Sequence, residues 1–255
     1  DFDLPEPEVV INLRGETEDI GRSERNIAHR IIEEFMIRAN EVVASHLTWE
    51  GMESLYRVHE GPDPEKVENF RDFISGLGHR LNGGPEPKPQ HFMELIDRIE
   101  GRPEERVVTT LMLRTMKQAR YQTDNDGHFG LASPMYTHFT SPIRRYPDLV
   151  IHRLLRAERG SEEAAEFDVE ALQAQLDTVC AQCSDRERVA EQAEREYCGW
   201  KKVQFMADKV GEKLTGYVVG VQSFGLFVQL RPHLVTGLVH VSTLGDDYYR
   251  VEPEG

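Results

Sequence analysis

Two spacings of apolar residues divide the chain. From about Arg25 to Leu47, Ile27, Ile31, Ile32, Phe35, Met36, Ala39 and Val43 recur at helical spacing and predict a long helix with a wide apolar face. Asn26, Glu33 and Asn40 recur along one flank of it, a line suited to sugar hydroxyls or to plain solvation with an Arg30–Glu33 pair. Helical spacing returns after Asp63-Pro64 with Val67, Phe70, Phe73, Ile74 and Leu77 facing inward, and again after the Gly83 to Pro89 loop as far as Glu100. The next predicted helix is Glu104 to Ala119, with Val107, Val108, Leu111, Met112 and Met116 inside and Lys117, Arg120 and Tyr121 clustered where it ends. Glu166 to Cys180 reads as one more, and Ser184 to Glu187 as a capping box opening another that reaches about Met206. Val9 to Ile11 and Leu55 to His59 read as short strands.

From Lys209 the spacing becomes alternating. Lys213 to Gln229 predicts two strands around Ser223-Phe224-Gly225, and Gly237 to Leu244 a third strand and a turn. The prediction is therefore α+β: a helix-rich portion over 1–208 and a small, incomplete β-barrel over 209–255.

Between these parts lies the stretch with most chemistry, HFGLASPMYTHFTSPIRRYPDLVIHRLL, from His128 to Leu155. Ser141 before Pro142 forms a good N-cap pair, so a helix is expected to begin there. Ile143, Tyr146, Leu149, Val150 and Leu154 form its apolar stripe, leaving Arg144, Arg145, Asp148 and His152 off it. Two cations in a first turn oppose the helix dipole unless an anion is near, and N–H groups with a guanidinium fork hold phosphate well. One arginine on Asp148 and the other in water is the alternative.

Composition changes this picture in one respect. The 255 residues carry a net charge of −15, which argues against an open nucleic-acid platform; nucleic-acid binding would require the basic groups to be concentrated inside a channel with an acidic exterior. No stretch approaches a membrane span, and the first residues lack the pattern of a signal peptide. Three cysteines suit a reducing, cytoplasmic compartment. Cys180 and Cys183 lack the two further ligands of a zinc site, and Asp1 with Asp3 reads as a polar strand entry. No glycine-rich phosphate loop follows a strand, which removes a nucleotide-binding enzyme of that kind.

The His128 to Leu155 stretch closely resembles the signature of the ribonuclease II / ribonuclease R family, the RNB-domain exoribonucleases. NIAHRIIEEFMIRANEVVA, LYRVHE and LRTMKQARY are similar to further segments of that family, and residues from 209 look like the start of an S1 domain, an OB-fold RNA binder. The resemblance implies 3′-to-5′ hydrolysis of single-stranded RNA to nucleoside 5′-monophosphates with Mg2+. It also implies that the metal-ligating aspartates lie upstream, so the chain is expected to be a fragment, inactive alone, that needs the missing N-terminal portion of the same enzyme. It assigns Arg144 or Arg145 to the reacting phosphate and Glu33 or Glu34, the latter slightly favoured, to ribose hydroxyls, with Asn40 on the same helix. Arg57, Lys117, Tyr121 and His128 fall on the substrate path, Tyr136 and Phe139 near terminal bases, and Glu194 in an AER-type segment tied to RNA handling. Phe224, Phe227 and His240 match stacking positions of S1 domains, Phe227 alternatively pointing into the barrel. A non-catalytic RNA-binding or scaffolding protein of the same fold is the competing expectation.

Overall fold

The computed structural model describes residues 7–22, 26–160, 168–231 and 233–245. Asp1, Asp3 and the end of the predicted barrel lie outside them. The chain forms two compact units, one of residues 27–188 and one of the segments before and after it.

In the first unit, α1 (Ile27–Trp49) is followed by β3 (Tyr56–Val58), α2 (Pro64–Gly76), α3 (Pro89–Ile99), α4 (Glu105–Thr115), β4 (Arg120–Gln122) and α5 (Tyr146–Glu158). A short α6 (Val169–Gln173) leads into the long α7 (Leu176–Ala207), whose residues from Val189 on belong to the second unit. Asp63 caps α2 by accepting from the N–H groups of Glu65 and Lys66, and Pro64 occupies the first turn where its missing N–H costs nothing. Val67, Phe70 and Ile74 of α2, Phe92, Leu95 and Ile99 of α3, and Val108 and Met112 of α4 are buried. A second cluster joins Leu47 of α1, Leu55, Tyr121, Val150, Ile151 and Leu154 of α5, and Leu176 and Cys180 of α7.

Four expectations are corrected here. The helix expected to reach Ala119 stops at Thr115, and Tyr121 lies on β4, paired antiparallel with β3 opposite Arg57. Pairing with β3 and burial of Tyr121 in the core outweigh the helical propensity of the segment. No helix opens at Ser184, because α7 runs unbroken through it. The Ser184 hydroxyl donates to the Cys180 carbonyl and accepts from the Tyr121 N–H, so it ties β4 to α7 and caps nothing. The helix expected at Ser141-Pro142 begins at Tyr146, with Pro147 in its first turn and Ile143 fully exposed in the preceding turn. Finally, the expected inward stripe of α1 is buried only toward its C-terminal half, at Asn40, Ala44 and Leu47, while Ile27, Ile31, Ile32 and Phe35 are exposed.

In the second unit β1 (Pro7–Ile11) and β2 (Thr17–Arg22) form a hairpin whose turn is organised by the Asn12 carboxamide. Lys201 of α7 is buried, donates to the Gly15 carbonyl of that turn, and lies over the Trp200 ring at 4.8 Å. β5 (Gly216–Gln222), β6 (Gly225–Leu230) and β7 (Thr236–His240) make an antiparallel meander, as the alternation predicts. Gly225 is required at the turn, since a Cβ there would sit 2.3 Å from the Val239 carbonyl. Among the described residues the strands form an open sheet and no closed barrel.

Candidate functional site

The chemistry-rich stretch opens on a tight turn. Gly127 adopts a φ of 74° and a Cβ there would lie 3.2 Å from the Ser133 carbonyl. The 3-10 turn Phe129–Leu131 that follows is held by two imidazoles. His59 Nδ1 accepts from the Gly130 N–H at 2.8 Å while its Nε2 faces the Lys117 carbonyl at 2.6 Å, which fixes a neutral ring protonated on Nε2. His128 Nδ1 accepts from the Leu131 N–H at 3.2 Å. Burial, then the neighbouring His59, pushes His128 down to about 4, and burial likewise lowers His59.

From His128 the rings continue inward. His128 meets Tyr136 edge-on with centroids 5.2 Å apart, and Tyr136 meets His138 at 5.8 Å. His138 Nδ1 lies 2.8 Å from the Tyr121 hydroxyl. Burial first, then the charges of Arg145, Arg57, His128 and Arg144, hold the His138 imidazole far below its ordinary value. A neutral ring thus sits in the field of three guanidiniums. Arg57 lies over the Tyr121 ring at 4.7 Å and pairs with Glu187 of α7 at 2.6 Å. Burial pushes the Tyr121 and Tyr136 phenols up, so both stay protonated.

Asn40 anchors this wall to α1. Its amide donates to the Tyr136 hydroxyl at 2.9 Å, and its carbonyl accepts from the Phe139 N–H at 2.9 Å. Phe139 stacks on His152 at 4.3 Å, and the His152 Nε2 faces the Phe139 carbonyl at 3.0 Å.

The turn ahead of α5 separates the two arginines. The Ser141 carbonyl accepts from the N–H groups of Arg144 and Arg145. Asp148, wholly buried, accepts from the Ser141 N–H at 2.7 Å and from Arg145 Nη2 at 2.8 Å. Arg145 points inward with 19% of its side chain exposed, onto a carboxylate. Arg144 is exposed and makes no ion pair among the described residues. Of the two arginines expected as alternatives for the phosphate, Arg145 is thus held on Asp148 and Arg144 faces solvent, the local geometry of the alternative reading.

Other expected residues fall differently. Lys117 is exposed and pairs with Glu60 at 2.5 Å, and Glu60 also takes Arg120. Those two hydrogen bonds hold Glu60 below the ordinary carboxylate range. Glu33 is half-buried two turns before Asn40 on the same flank, whereas Glu34 is exposed. Glu194 is exposed and belongs to the second unit, while Glu187, two turns earlier on α7, is the carboxylate beside Arg57 and Tyr121. Glu187, His138, Asp148 and Ser184 were missed as site residues; an α7 without a break, from which Glu187 and Ser184 could be placed, was the available signal. In the second unit Phe224 is 44% exposed and meets the half-buried Phe227 edge-on at 6.1 Å; His240, exposed, bonds to Ser242.

The carboxylates here do not make a Mg2+ site. Asp148 is committed to Ser141 and Arg145, and Glu187 to Arg57. Among the described residues no group of three or more His, Cys, Asp or Glu could hold a metal ion, and no helix is long and apolar enough to cross a membrane.

The first unit thus brings Arg57 and Arg145 to a wall of protonated phenols and neutral imidazoles, and residues 216–240 form a separate antiparallel β-meander. The RNB domain matches residues 1–158 and the S1 RNA binding domain residues 207–255. The chain belongs to the RNB-domain ribonuclease R family. It is 49% identical to ribonuclease R of Aquifex aeolicus, over 98% of this chain and 35% of that protein, and 43% identical to ribonuclease R of Vibrio parahaemolyticus, over 100% and 31%. It thus spans about a third of the length of these curated relatives. The fold matches Mycoplasma genitalium RNase R in its apo form with a TM-score of 0.92 at 27% identity, covering 100% of this chain and 40% of that one. The same enzyme in complex with ribose methylated single-stranded RNA matches at 0.90, with 27% identity and the same coverage. Yeast Ssd1, a pseudonuclease, matches at 0.66 with 27% identity over 85% of this chain and 27% of that one.

Proposed function

We propose that this chain is the RNA-gripping part of a 3′-to-5′ exoribonuclease that hydrolyses single-stranded RNA to nucleoside 5′-monophosphates, residues 1–208 belonging to its catalytic domain and 209–255 to an S1 domain. The observation that carries the reading is the Ser141–Arg145 turn. Buried Asp148 pins Arg145, and Arg144 is left as an exposed guanidinium without an ion pair among the described residues, its charge felt by the neutral His138 ring. Arg144 then serves as the phosphate ligand, Arg145 as its positioning residue, and Glu33 as acceptor for ribose hydroxyls. Mg2+ belongs, on this reading, to a part of the catalytic domain outside this chain. The RNA-bound structure of the M. genitalium enzyme supports the choice of ligand.

Binding of a labelled single-stranded oligoribonucleotide to the 255-residue chain across salt concentrations tests it. Arg144→Gln is expected to flatten the slope of log K against log salt by about 0.7, the share of one phosphate on a single strand. An unchanged slope and affinity would overturn the assignment.

A second reading, a non-catalytic RNA-binding protein, is favoured by the likeness to the pseudonuclease Ssd1. The full-length product of the gene decides between them. Magnesium-dependent release of nucleoside 5′-monophosphates supports the enzyme, and RNA binding without release supports the binding protein.

A further inference from the structure

α1 is apolar on two opposite sides. Asn40, Ala44 and Leu47 face the core of the first unit and are buried. Ile27, Ile31, Phe35 and Val42 recur at helical spacing on the other side, about 180° away at 100° per residue, with Ile32 at their edge. All five are between 49% and 70% exposed. The charge lying among them, Arg38, is already turned onto Glu41 at 3.0 Å, so the face does not depend on a partner to neutralise it. A continuous apolar stripe of this kind is costly to leave in water and is a mark of an interface.

The length of the relatives points to what covers it. The chain spans 31–35% of the ribonuclease R sequences it matches along nearly its whole length, and α1 lies within the residues matched by the RNB domain. We infer that the Ile27/Ile31/Phe35/Val42 face of α1 is the seat of another portion of the same RNB domain, carried by the same polypeptide outside these residues and docking through an apolar surface of its own. The inference rests on the reading that a longer RNB protein surrounds this chain, and it is independent of the role given to Arg144.

The test compares thiol accessibility in the 255-residue chain and in the full-length product of the gene, using Ile31→Cys and Val42→Cys in each. Peptide-resolved maleimide labelling separates the new thiols from Cys180, Cys183 and Cys198. Expected is rapid labelling in the 255-residue chain and labelling slowed by about tenfold or more in the full-length protein, as burial in a stable unit requires. Equal rates in the two proteins overturn the inference. So does slow labelling of the 255-residue chain that becomes fast on dilution, since a second copy of the chain would then be the occupant. Phe35→Glu gives an independent readout. It is expected to leave the melting temperature of the 255-residue chain unchanged, the side chain being exposed already, and to lower that of the full-length protein; equal effects on both overturn the inference. Arg144→Gln leaves the labelling pattern intact, so failure of the phosphate assignment and failure of this docking face are distinguishable.

Discussion

Asp148 and Arg145 form a buried ion pair that closes the turn carrying Arg144. A single carboxylate oxygen of Asp148 accepts from both Arg145 Nη2 and the Ser141 N–H, while its other oxygen and Arg145 Nε, both buried, have no partner. The pair is monodentate and wholly desolvated on the acid side, so its removal hurts more through the group left behind than through the bond lost. Asp148→Ala is expected to destabilise the chain by about 3 kcal/mol, since a buried guanidinium and a backbone N–H both lose their acceptor. Urea denaturation measures it. Asp148→Asn, which keeps an acceptor for Ser141, is expected to cost less, and a null effect of the alanine variant would contradict the burial.

A neutral His128 makes stability depend on pH. Its ordinary value is 6.5 and its folded value about 4, so below 6.5 the unfolded chain binds a proton that the native chain refuses. His128 therefore contributes stability that is fully present above pH 6.5 and is lost as pH falls through about 4. The full loss is on the order of 3 kcal/mol for this group. His59 and His138 shift in the same direction, and Arg57 and His59 are the charged or titratable neighbours that hold His128 neutral. Thermal melts between pH 7.5 and 4.5 are expected to fall steeply, with His128→Asn flattening part of the slope. Imidazole titration by NMR separates these rings from the carboxylates that protonate in the same interval.

The α1 amide makes the next prediction. Asn40 satisfies two buried partners nearly a hundred residues away, the Tyr136 hydroxyl and the Phe139 N–H. Asn40→Leu keeps the volume and orphans both, at a cost of about 3 kcal/mol by the penalty for unsatisfied buried groups. Calorimetric melting checks this. Tyr136→Phe alone removes only one bond and is expected to cost about 1 kcal/mol.

Helices and strands were legible wherever the spacing was set by local burial. α2, with its Asp63-Pro64 start, and the three strands after Lys213 follow from period and capping alone. The failures share one cause, which is tertiary pairing. Nothing local in the sequence says that Tyr121 leaves a helix for a strand opposite Arg57, or that Ser184 spends its hydroxyl on Tyr121 and Cys180. Asp148 read as a residue off the apolar stripe that could take one arginine, and its complete burial did not show because the helix phase was set from Pro142, three residues before the true N-cap at Arg145. The exposed half of α1 read as core because amphipathicity cannot tell which partner a face awaits. The family signature singled out the stretch, and the different surroundings of Arg144 and Arg145 needed geometry.

On the proposed function, the second unit would contribute through rings instead of charges. Phe224 sits at the β5–β6 turn, largely exposed, with Phe227 edge-on beneath it. Stacking of a base on such a ring is worth about 1–3 kcal/mol and involves no phosphate. Phe224→Ala is therefore expected to weaken binding of a single-stranded oligoribonucleotide by about tenfold or more while leaving the salt slope unchanged. Phe227→Ala is expected to act mainly on stability, because its ring is half-buried on the sheet. Fluorescence anisotropy at several salt concentrations distinguishes the two kinds of contact. A slope change for Phe224→Ala would mean that the sheet steers phosphate, and an unchanged affinity would remove Phe224 from the RNA path.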